Sequence, residues 1–140
     1  MRTGEGTKPM TPQEILYKTA AHCFAQNERA VGSDDRCLYE TNAGLKCAIG
    51  CHLSNETLQC VGKRQMDVTH LVAFLNENIV LPDVEFLVTN TKLLQALQCA
   101  HDISYNWRTS EMMRKEFNLV AKWFKLEPLP DSSEYRFANR

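Results

Sequence analysis

Apolar residues recur at intervals of three and four early in the chain, at Ile15, Leu16, Thr19, Ala20, Cys23 and Phe24. That spacing places them on one face of a helix. Thr11 suits an N-cap, Pro12 the first helical position, and Glu14 stands three residues after the cap. The helix is expected to run to about Ala30, with Gly32-Ser33-Asp34-Asp35 ending it. A second stripe, Val68, Leu71, Val72 and Leu75, predicts a helix from Asp67 to about Asn76–Asn78. A third carries Leu93, Leu94, Leu97 and Ala100 behind a cap at Asn90 or Thr91. The last, Met113, Phe117, Val120 and Phe124, follows a cap at Ser110 and stops before Pro128 and Pro130.

Between the first two stripes the pattern changes. Cys37–Glu40 and Lys46–His52 read as two short strands joined through Asn42-Ala43-Gly44, where Asn and Gly can supply positive φ. Gly50 inside the second run suggests a bulge or a close backbone approach. Residues 54–66 are weakly patterned, although Ser54-Asn55-Glu56 can open a short helical turn. Leu81-Pro82 interrupts regular structure, while Ile79-Val80-Leu81 and Phe86-Leu87-Val88 are rich in strand formers and could add an edge. The expected fold is therefore α+β: a small antiparallel β-hairpin of two or three strands packed against about four α-helices. Residues 1–10 read as a disordered leader, 11–126 as a single domain, and 127–140 as a loosely held tail.

Composition narrows the classes. A chain of 140 residues with 44% apolar and 24% charged residues fits one ordinary globular domain. Its net charge of -1 argues against nucleic acid as a partner, since no strong basic field exists. The local clusters Lys63-Arg64 and Arg108 with Arg114 and Lys115 read as solvated faces. No apolar stretch approaches the roughly 20 residues that span a bilayer, and the first residues carry no apolar signal region. A cytoplasmic location follows as the expectation, with the six cysteines as reduced thiols. Cys23 and Cys99 sit among helical apolar residues and read as core.

Three kinds of chemistry compete for the cysteine-rich segment and its neighbours. A zinc-stabilised structural module would draw on Cys37, Cys47, Cys51 and His52, or on Cys60 as the fourth ligand. Only Cys47 and Cys51 have knuckle-like spacing, and strand alternation would put them on one face with Ile49, as core residues stand. No cofactor is therefore expected, with zinc kept as the alternative. A thiol-dependent enzyme would use Cys51 or Cys47 with His101 as base. Asp102 follows His101, but adjacent helix residues do not normally face each other. The third class is protein binding. Tyr105, Trp107 and Arg108 occupy a connector where exposure is expected, and Trp and Tyr are enriched at binding hot spots. Trp123, beside Phe124, is expected to be at least partly buried.

The run Cys37-x-Tyr39, then Gly44-Leu45-Lys46-Cys47-Ala48-Ile49-Gly50-Cys51-His52-Leu53, resembles a family of small tailed-phage and bacterial proteins. Their motif has the form Cys-x-Tyr, a short turn, then Lys-Cys-Ala-x-Gly-Cys-Leu-Ile. Leu94-Gln95-x-Leu97-Gln98-x-x-His101-Asp102, a following Trp107 and an amphipathic helix up to Leu126 extend the likeness over about residues 11 to 126. His52 departs from the pattern, which mostly has Leu there. The resemblance implies a phage-type accessory protein in a bacterial host cell. By analogy such a protein would bind a host or phage protein stoichiometrically, in host takeover or counter-defence.

Overall fold

The computed structural model describes residues 10–32, 38–61, 68–77 and 81–138. The leader before Met10, Ser33 to Cys37, Gly62 to Asp67 (with Lys63-Arg64) and Ile79-Val80 lie outside them. Among the described residues six α-helices form: α1 Pro12–Gln26, α2 Asn55–Val61, α3 Val68–Glu77, α4 Leu81–Thr89, α5 Thr91–Asp102 and α6 Ser110–Trp123. None is long and apolar enough to cross a membrane.

Helix α1 starts as its residues dictate. The Glu14 N–H donates to Thr11 Oγ1 at 3.1 Å, and the Thr11 N–H donates back to Glu14 Oε1 at 2.8 Å. It stops earlier than Ala30, because Asn27 adopts the left-handed region at φ 69° and its N–H closes on the Cys23 carbonyl. Ile15, Leu16, Thr19, Ala20, Cys23 and Phe24 are all buried, so the helical stripe is the core face.

The α+β expectation is overturned. Among the described residues no strand forms, and a single antiparallel bridge between Glu40 and Lys46 is what the hairpin leaves. The turn itself closes: the Thr41 N–H donates to the Leu45 carbonyl, the Gly44 N–H to the Thr41 carbonyl, and Gly44 takes φ 87°. Beyond it the second arm coils instead of extending. The Cys51 N–H reaches back four residues to the Cys47 carbonyl, and His52 and Leu53 each reach back three. Helical hydrogen bonds thus satisfy the backbone that a strand would have left to a partner. Gly50 permits this, since a Cβ there would sit 2.0 Å from the Tyr39 carbonyl oxygen. Alternation in the order Cys, Ile, Cys cannot distinguish these two outcomes, because a run this short fits either period.

The edge-strand option fails for a related reason. Phe86-Leu87-Val88 lie in α4, where Val84 and Leu87 are three apart and both buried. Pro82 in the first turn favours that helix start, and packing overrides β propensity. Asp83 ties α4 to the start of α2: its carboxylate accepts from the Ser54 N–H, the Ser54 hydroxyl and the Thr57 hydroxyl.

Helix α6 is capped by Thr109, not Ser110, with the Met112 N–H donating to Thr109 Oγ1 at 3.1 Å. It ends in a Schellman motif. Lys125 is left-handed at φ 57°, Leu126 N–H bonds the Ala121 carbonyl at 2.7 Å, and Lys125 N–H bonds that of Lys122.

The chain then turns back, and the segment expected as a loose tail packs instead. Leu129, Tyr135 and Phe137 are buried, and Phe137 lies 4.8 Å from Phe24 and 5.8 Å from Trp107 between ring centroids. Arg114 donates to the carbonyls of Leu129, Pro130 and Tyr135, Asn118 accepts from the Leu129 N–H, and Ser110 from that of Phe137. This strap closes the core formed by α1, α5 and α6, where Phe24 meets Phe117 at 6.4 Å.

Candidate functional site

One stripe of α1 holds the coiled cysteine segment. His22 Nε2 donates to the Lys46 carbonyl at 2.8 Å, and Gln26 grips both sides of the same residue, donating to its carbonyl and accepting from its N–H. One turn earlier, the Thr19 hydroxyl donates to the Ile15 carbonyl at 2.7 Å. Its oxygen therefore accepts from His52 Nε2 at 2.7 Å, which fixes the proton on that nitrogen. His52 Nδ1 is left buried with no hydrogen-bond partner. Burial first, then the nearby Lys18 and His22, push the His52 pKa down to about 3, so the ring is neutral.

The thiols are arranged for packing. Cys47 is buried, and its sulfur accepts from the Gly50 N–H at 3.2 Å. The Cys51 thiol donates to the Ala48 carbonyl at 3.3 Å. Burial pushes both pKa values up to about 12, the opposite of what a nucleophile or a metal ligand requires. Cys23 is buried as expected, whereas Cys99 is exposed. Among the described residues no three His, Cys, Asp or Glu side chains are placed to share a metal ion. Cys37 and the Cys60 side chain lie outside what the structure describes.

His101 and Asp102 do meet, although they are neighbours in sequence. Asp102 ends α5, and its carboxylate accepts from His101 Nδ1 at 3.0 Å and from Gln98 Nε2 at 2.6 Å. His101 Nε2 accepts the Ala30 N–H at 3.3 Å, so both ring nitrogens are engaged in joining α5 to the chain after α1. The ring is fully buried. It has no free lone pair with which to activate Cys47 or Cys51, and it acts as a structural tie.

The connector Tyr105-Asn106-Trp107-Arg108 divides. Trp107, expected at the surface, is only 7% exposed. Its indole N–H donates to the His101 carbonyl at 2.8 Å, and its ring meets His101 edge-on at 5.5 Å. Asn106 is buried beside it, donating to the Ala100 carbonyl. Tyr105 and Arg108 remain exposed, with the guanidinium 4.9 Å from the centre of the Tyr105 ring. Comparison with protein-family models, with curated proteins and with solved structures finds no match for this chain.

The largest exposed side chain is one that sequence reasoning placed partly inside. Trp123 is 82% exposed at the end of α6, and Leu119, one turn before it, is 51% exposed. Lys115, Leu119, Lys122 and Trp123 share one outward stripe at intervals of four and three. The signal was available in the apolar period itself: Met113, Phe117 and Ala121 form the buried face of α6, and residue 123 falls off it.

Proposed function

We propose that this chain acts by stoichiometric binding to another protein, without chemistry of its own. The observation that carries this reading is the exposure of Trp123, supported by half-exposed Tyr105, Leu119 and Ile103. Exposed Trp and Tyr supply large rigid contact area, and scattered aliphatics alone would not call for explanation. The His101 imidazole, engaged at both nitrogens, and the packed thiols, whose pKa values burial raises, give the thiol-enzyme and zinc-module readings no added support. A host protein in a bacterial cytoplasm is the partner class that the cysteine-segment resemblance implies. Tyr105 and Arg108 stay in the proposed contact surface, and Trp107 leaves it.

Affinity capture from bacterial lysate tests this directly. The intact chain is expected to retain a protein at a fixed ratio, and Trp123→Ala with Tyr105→Ala is expected to lose it at an unchanged melting temperature. Capture that survives both substitutions would remove this surface from the function.

A further inference from the structure

The exposed stripe of α6 has chemistry that narrows its partner. From Arg108 to Lys125 the chain carries five basic residues and two acidic ones, within a protein whose total is 16 basic and 17 acidic. The basic excess is therefore concentrated around α6. Arg114 is committed to the strap carbonyls. Lys115 and Lys122 are exposed and form no ion pair among the described residues. Between and beside them stand Leu119 and Trp123, and a shallow groove runs along Glu111, Lys115, Leu119 and Lys122. From Lys115 to Trp123 the stripe extends about 12 Å, two helical turns.

We infer that this stripe takes an acidic amphipathic helical segment of another protein, whose apolar side chains cover Leu119 and Trp123 while its carboxylates face Lys115 and Lys122. The inference rests on the protein-binding reading and adds the partner's chemistry to it. Apolar anchors spaced a turn apart are how a helix recognises a groove of this kind, and opposite charge sets its register. The other occupants fit less well. Nucleic acid would need more cations than the two this stripe carries, and Glu111 lies on the same stripe of a net acidic chain. A membrane surface would need a wider apolar face than one Leu and one Trp. A second copy, paired antiparallel about Leu119, would set Lys115 of one chain against Lys122 of the other.

The test uses a fluorescently labelled three-turn helical peptide with leucines on one face and glutamates flanking them. A control peptide carries lysines for the glutamates, and a single-stranded oligonucleotide and phosphatidylserine vesicles serve as competitors. The acidic peptide is expected to bind the full chain, more weakly as salt rises. Both Lys115→Glu/Lys122→Glu and Trp123→Ala are expected to weaken it by roughly tenfold. Equal binding of the lysine peptide, stronger binding to oligonucleotide or vesicles, indifference to the lysine substitutions, or a dimer that Trp123→Ala dissociates would each overturn the inference. Lysate capture separates the two levels. A partner lost by Trp123→Ala but kept by the lysine double variant leaves protein binding standing and removes the acidic chemistry. No partner for the intact chain removes both.

Discussion

Trp107 and Trp123 flank the same helix and meet opposite surroundings. Trp107 lies just before α6, with its ring between His101 and Phe137 and its N–H on the His101 carbonyl. Trp123 ends α6 in solvent, 82% exposed. Their immediate neighbours do not separate them, since each stands beside a basic residue. What separates them is the path of the chain afterwards. The strap from Glu127 onward returns across the start of α6 and brings Phe137 over Trp107, whereas at the other end the Schellman turn at Lys125 sends the chain away from Trp123. The closed side of the molecule is built by contacts between residues far apart in sequence, and the open side is a helix face that none of the described residues returns to cover.

That contrast is best broken at its closed end. Trp107→Ala is expected to cost about 4 kcal/mol in chemical denaturation, since it empties a packed aromatic site and removes an indole hydrogen bond. A loss under about 1 kcal/mol would mean that Trp107 is not part of the core. Gly50→Ala sharpens the same side: the added methyl meets the Tyr39 carbonyl, and a destabilisation of about 3 kcal/mol is expected by the same measurement. Wild-type stability at that position would show that the segment uncoils readily.

An acid titration probes the coiled segment more gently. His52 is neutral in the fold with its pKa near 3, against 6.5 ordinarily, so the unfolded chain binds more protons between those values. Its contribution is fully present above about pH 6.5 and declines as pH falls toward 3, amounting to about 2 kcal/mol lost by pH 5. His22, lowered mainly by burial, acts in the same direction. His52→Leu should therefore flatten the acid limb of a stability-against-pH curve without abolishing it, and an unchanged slope would show that the imidazole is not shielded. The smallest effect belongs to the open end. Trp123→Ala is expected to shift stability by less than about 0.5 kcal/mol, and a larger fall would place that ring in a packed site.

The parts of the fold that could be read from residues alone are those set by local chemistry. Thr11, Pro12 and Glu14 announce α1 because the capping box is a matter of three residues. Met113 and Phe117 mark the inner face of α6 because a helix repeats its face regardless of what covers it. Gly50 correctly signalled a close backbone approach, though to a coil and not across a ladder. The remainder depended on contacts at long range. The hairpin failed because the alternating cysteines are equally compatible with a coil pinned by His22 and Gln26 of α1. His101 and Asp102 met because Asp102 is the last residue of its helix, where a short side chain can fold back over the final turn. The burial of Trp107 was illegible because nothing local reports where Phe137 goes, whereas the exposure of Trp123 follows from the period of α6.

The strap also has a consequence in time. Phe24 is made long before Phe137, and Gln13 exchanges hydrogen bonds with Glu127 across 114 positions of chain. At ordinary rates of synthesis that separation corresponds to a delay on the order of ten seconds. Once α1 leaves the ribosome, its apolar flank waits without its lid for the rest of that interval, so a nascent chain of this sequence presents a sticky surface that the finished protein conceals.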